Sequence, residues 1–83
     1  MGVTGVHAEL GLTTGDAEEA AIKRALSRQA GETVVLASRV KLGAASPFVV
    51  LPLSEIDALV IEDGLPEELI EPYRALGVVL VQR

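Results

Sequence analysis

Cysteine, tryptophan and asparagine are absent from this 83-residue chain, and histidine, phenylalanine and tyrosine occur once each. Without cysteine there is no disulfide staple and no thiolate metal site, a composition that fits a reducing compartment such as the cytoplasm. His7 is left as the one nitrogen ligand, so neither a metal nor another cofactor is expected. Two aromatics far apart, Phe48 and Tyr73, are too few for a single-strand nucleic-acid platform, which interleaves several with Lys and Arg. Long apolar runs are missing too. The longest, Phe48 to Leu53, is broken by Pro52 and falls far short of the about 20 residues that span a bilayer. No basic stretch followed by an apolar segment opens the chain, so no signal peptide is expected, and no membrane partner either. At 8.7 kDa the chain is one small domain at most, with room for a single core.

What charge there is lies unevenly. Residues 1–54 hold five acids and five bases and sum to zero. Residues 55–83 hold seven acids against Arg74 and Arg83 and so carry the whole net charge of −5. No basic stripe exists to meet a phosphate backbone, which excludes direct nucleic-acid binding by this segment. The acids from Glu55 to Glu71 lack the spacing of hard-cation ligands and read as a solvated face.

Periodicity gives alternating helix and strand signals. Gly2, Gly5 and Gly11 punctuate the first residues like a loop leaving a strand. Thr13, Thr14 and Asp16 offer N-cap oxygens to a first helix, Asp16 and Glu19 have capping-box spacing, and Gly31 is placed to end it. Ala17, Ala21, Ala25, Ile22 and Leu26 read as its apolar stripe, with Lys23, Arg24, Ser27 and Arg28 on the wet side. Val34 to Ala37 is a continuous apolar run, the pattern of a strand buried on both faces. Phe48 to Leu51, Ala58 to Ile61 and Val78 to Val81 read as further strands, and Pro72 predicts a short or kinked helix between Pro66 and Leu76. Ala58 to Val81 is thus a right-handed βαβ unit. The fold class is α/β, a mostly parallel sheet with flanking helices, and it is incomplete because no strand convincingly leads into the first helix.

Arg39 and Lys41 follow directly on a predicted buried strand, in a loop containing Gly43. Ligands on open α/β sheets bind at the carboxyl ends of strands, where two cations can hold a phosphate; a solvated basic turn is the plainer reading. Thr13, Thr14 and Gly15 at a helix start form either an anion site or a simple cap. Thr4 between Gly2 and Gly5 offers a close backbone approach to a sugar hydroxyl, or a plain turn. His7 has no companion Ser or Cys at a recognisable spacing, and Glu19 has no partner acid, so no catalytic residue is assigned.

Gly11-Leu12-Thr13-Thr14, Glu18-Glu19-Ala20, Lys23-Arg24-Ala25, Val34-Val35-Leu36-Ala37, Lys41 with Gly43, Pro52-Leu53-Ser54-Glu55-Ile56-Asp57 and Asp63-Gly64-Leu65-Pro66 together resemble, in order and spacing, the C-terminal sensor domain of DeoR-type bacterial transcriptional regulators. The resemblance runs roughly from Gly2 to Val81. It implies a Rossmann-like, ribose-5-phosphate-isomerase-like fold of which this chain is the C-terminal half. It also implies a phosphorylated sugar or related metabolite as effector and DNA contact only through a winged helix-turn-helix absent from this chain; the incomplete sheet leads to the expectation of a homo-oligomer. Where that family usually reads Gly-Ala-Asn-Gly this chain has Gly2-Val3-Thr4-Gly5, and where it reads Asp-Ser-Ser-Lys-Phe-Gly this chain has Ser38-Arg39-Val40-Lys41-Leu42-Gly43. The effector-binding residues expected are therefore Lys41, Arg39, Thr4, Gly5 and Thr14. A small or degenerate sugar-phosphate isomerase and a pure oligomerisation module are the alternatives.

Overall fold

The computed structural model describes residues 2–83. Two three-stranded sheets carry the fold. Strands β1 (Gly5–His7), β2 (Gly11–Thr14) and β4 (Phe48–Leu51) form an antiparallel sheet in the order β1-β2-β4. Strands β3 (Val34–Ala37), β5 (Ala58–Ile61) and β6 (Leu80–Gln82) form a parallel sheet in the order β3-β5-β6. The expected mostly parallel sheet is therefore only half of the β structure. Gly2 bridges in parallel to Leu36 and Val6 to Leu42, so the N-terminal segment joins the two sheets.

The stretch read as a loop leaving a strand is a β-hairpin whose second strand runs into the first helix, but that strand lies in the antiparallel sheet and β3 in the parallel one, so no βαβ unit forms around the first helix. Glycine hides this hairpin from periodicity. Gly5 and Gly11 are placed there because backbone and a side chain leave no room: a Cβ on Gly5 would meet the Ala44 carbonyl oxygen and Thr13 Oγ1. Thr13 and Thr14 lie inside β2, fully buried, and the N-cap of helix α1 (Ala17–Gln29) is Asp16 alone, whose Oδ1 accepts the Glu19 N–H at 3.0 Å. The helix ends at Ala30 in extended conformation, whose N–H bonds Leu26 O and Ser27 O, so Gly31 is not its cap.

Helix α1 sits the other way round from its expected amphipathicity. Ile22 and Leu26 are exposed at 54% and 61%, and Ala20 is the helix residue that is buried. The inward side carries donors that unpaired carbonyls require. Register slips between Leu12 and Thr13, leaving Val50 as an extra residue on β4. Arg24 answers this bulge, donating from Nε to Val50 O at 2.9 Å and from Nη2 to Val49 O at 2.7 Å. Lys23 pairs with Glu19 at 2.8 Å and also donates to Gly2 O, while Ser27 Oγ meets Thr33 Oγ1 at 2.8 Å.

Strand β3 is buried on one face only. Val35 and Ala37 point into the core with Leu59 and Ile61, whereas Leu36 is 57% exposed and shares its face with Val60, its registered partner, and with Val81, which pairs with Val60. Leu26 and Val34 line one open groove beside that face. Helix α2 (Glu67–Ala75) links β5 to β6 and runs continuously through Pro72. Its end is a Schellman motif: Val78 N–H bonds Tyr73 O and Gly77 N–H bonds Arg74 O, with Gly77 at φ 80°. This motif uses up Val78, and the last strand starts at Leu80, two residues later than the apolar run suggests.

Candidate functional site

All three parallel strands end at the same edge of their sheet, and the residues just past those ends meet there. Ser38 follows β3 and leads into a 3-10 turn, Arg39–Lys41; Glu62 follows β5; Arg83 follows β6. Ser38, Lys41, Glu62 and Arg83 rim an open groove of about 500 Å3, with Leu36 and Val60 among its apolar lining. The turn is fixed by its backbone, since Lys41 N–H bonds Ser38 O at 3.0 Å and Leu42 N–H bonds Arg39 O at 3.2 Å. Glu62 is tied to the same turn, its Oε1 accepting the Arg39 N–H at 2.8 Å. Arg83 is held through its main chain, donating to Ile61 O at 3.0 Å and accepting from Asp63 N–H at 2.6 Å. Neither the Lys41 ammonium nor the Arg83 guanidinium has an ion-pair partner among the described residues. Two unpaired cations and one carboxylate thus face an open apolar-floored groove, which suits an anionic group carrying hydroxyls.

The expected site residues separate. Lys41 lines the groove; the exposed Arg39 does not, and contributes its N–H to Glu62 instead. Thr4 does not line the groove; its N–H bonds Thr13 O at 3.1 Å. Its Oγ1 donates to Thr13 O at 3.2 Å and lies 2.6 Å from Ser46 Oγ. Gly5 is buried against Ala44 and Thr13 as a packing position. Thr14 is 1% exposed, paired with Phe48 in the sheet, and its Oγ1 has no hydrogen-bond partner among the described residues. His7 Nδ1 accepts the Glu9 and Leu10 N–H groups at 3.1 and 3.2 Å, so its role is to hold the hairpin turn.

Ser38, Glu62 and Arg83 were not legible as site residues, although each stands immediately after a strand, the position where open α/β sheets place ligands. Tyr73 was missed as well. Its ring is buried on α2, and its hydroxyl donates to Val6 O at 2.7 Å and accepts the Gly43 N–H at 2.9 Å. Burial raises its pKa above the ordinary tyrosine value of 10.0, and the Gly43 N–H pulls it part of the way back. Stability is accordingly expected to hold through neutral and mildly alkaline pH. It falls once pH passes about 10, where the unfolded chain releases this proton and the folded one retains it. Chemical denaturation at stepped pH checks this; a Tyr73→Phe variant flat across the same window, beside a falling wild type, assigns the drop to this hydroxyl.

A family model for the DeoR C terminal sensor domain matches residues 1–63. The chain belongs to this family. The match takes in the Lys41 turn and ends just after β5, so that α2, β6, Tyr73 and Arg83 lie beyond it. Curated relatives of this DeoR-type chain include the HTH-type transcriptional repressor GlcR of Bacillus subtilis, 38% identical over 68 residues, which are 82% of this chain and 26% of that protein. The uncharacterized HTH-type transcriptional regulator YgbI of Escherichia coli K12 is 33% identical over 57 residues, 69% of this chain and 22% of its own length. A putative aga operon transcriptional repressor of Escherichia coli O157:H7 aligns over 81 residues at 25% identity, 98% of this chain and 30% of that protein. The DeoR-type chain thus spans between a fifth and a third of the length of these relatives. No solved structure gives a significant match. No helix among the described residues is long and apolar enough to cross a membrane.

Proposed function

We propose that this chain is the C-terminal part of the effector-sensing domain of a DeoR-type transcriptional regulator, and that the groove at the strand ends holds the phosphate of a phosphorylated sugar. The observation that carries this reading is the pair of unpartnered cations, Lys41 and Arg83, at the carboxyl edge of the parallel sheet. Glu62, between them in strand order, is an acceptor for sugar hydroxyls. The outer face of the parallel sheet supports the reading of a partial domain. Parallel sheets in α/β proteins are covered on both faces, and here Leu36 stands bare. In the whole regulator, an effector that binds one of two conformations more tightly shifts the population competent to bind DNA through a separate winged-helix segment.

Isothermal calorimetry of the full-length regulator with a panel of phosphosugars tests the site. Lys41→Ala and Arg83→Ala are each expected to lower affinity about 10- to 100-fold, the effect of one charge-assisted hydrogen bond of roughly 1.5–3 kcal/mol. Equal affinity of wild type and Lys41→Ala sinks the assignment of Lys41.

A further inference from the structure

Three segments distant in sequence meet at one buried hydroxyl. Tyr73 of α2 is 3% exposed, and its Oη takes the Gly43 N–H and gives its own proton to Val6 O. The same Gly43 N–H also reaches Val6 O at 2.8 Å, closing a triangle between β1, α2 and the loop after β3. Gly43 stands at φ 82°, a conformation that glycine adopts without strain, two residues after Lys41. Leu42 between them is buried and bridged to Val6. The Lys41 turn is therefore anchored on its far side by Tyr73. Helix α2, which carries Tyr73, is also the connection between β5 and β6, whose ends bring Glu62 and Arg83 to the opposite rim.

The geometry points to Tyr73 as a positioning residue that sets the distance between Lys41 and the Glu62–Arg83 rim, so that anion occupancy of the groove and the seating of α2 are coupled. This rests on the anion-binding reading of the groove. An anion drawn between Lys41 and Arg83 pulls the two rims to one spacing. The Tyr73 hydroxyl ties the loop that carries Lys41 to α2, the helix that connects β5 to β6, so filling the groove protects its hydrogen bonds. Linkage makes the effect reciprocal: loosening the hydroxyl lowers affinity by the same factor.

The test uses the full chain with inorganic phosphate at neutral pH, chloride balancing ionic strength. Tyr73→Phe keeps the ring and removes one oxygen, and it is expected to weaken phosphate binding about five- to tenfold. Hydrogen exchange of the Gly43 amide, which bonds both the Tyr73 hydroxyl and Val6 O, supplies a second readout of whether occupancy reaches this junction. Saturating phosphate is expected to slow it several-fold in wild type and to leave it unchanged in Lys41→Ala. That comparison stands even if Tyr73→Phe fails to fold. Phosphate binding to wild type with undiminished binding to Tyr73→Phe, or Gly43 exchange indifferent to phosphate, overturns the coupling and leaves the anion site standing. No phosphate binding by wild type removes the anion site and the coupling with it.

Discussion

Gly11→Ala is expected to unfold this protein or nearly so. Gly11 opens β2 at φ 90°, and a Cβ there would run into the Leu51 carbonyl oxygen and lie 2.8 Å from Pro52 Cα. Both obstacles are backbone, in the strand paired with β2 and in the residue after it, so neither can rotate away. The left-handed conformation alone costs an L-residue roughly 1–2 kcal/mol. Forcing two paired strands apart in a close-packed core adds several more, an expected total of about 4 kcal/mol or above against a typical domain stability of about 5–15 kcal/mol. Gly64→Ala is the control, because Gly64 has φ 80° but nothing within 4 Å of a Cβ. Its expected cost is the conformational part only, roughly 1–2 kcal/mol. Urea denaturation of the two variants should separate them clearly; equal midpoints would mean that crowding at Gly11 is absent in solution.

Leucines on opposite faces of one sheet should respond as differently. Leu59 on β5 is 0% exposed and surrounded by core side chains, so Leu59→Ala is expected to cost about 3–5 kcal/mol through lost burial and the cavity left behind. Leu36 on the neighbouring strand faces out, and Leu36→Ala should cost under about 1 kcal/mol in the 83-residue chain. Within a full-length regulator the same Leu36→Ala change should become expensive if the outer face is covered there. A large loss in the short chain as well, together with a dimer in sedimentation, would show that a second copy covers the face.

The strands β3, β4 and β5 were legible because each is an apolar, half β-branched run between turn residues, a local property. The hairpin was not. Gly5, Gly11, Thr13 and Thr14 carry little hydrophobic signal, and their burial follows from contacts with Ala44, Ser46 and Leu51 more than 30 residues away. The orientation of α1 was read backwards for a related reason. Alanine on both sides of a helix marks no face, and the polar residues Arg24 and Ser27 turn inward to acceptors at Val49, Val50 and Thr33, which no local pattern announces. In the site, Lys41 was legible as a cation just after a buried strand. Glu62 and Arg83 join it only because three strands run parallel and end level, a register that pairs Ala37 with Ile61 and Ile61 with Gln82.

Arg24 has a consequence for how the chain avoids its own kind. Among the described residues strand β4 has β2 on one side and no strand on the other, an open edge of the kind that recruits further strands. The guanidinium already occupies the carbonyls of Val49 and Val50, and the bulge bends the strand out of register with any flat partner. Fibril-like growth from that side would first have to evict an arginine from two hydrogen bonds. Among the described strands β6, three residues long and followed by Arg83, forms the edge of the parallel sheet farthest from β3, so that open edge adjoins the rim of the groove.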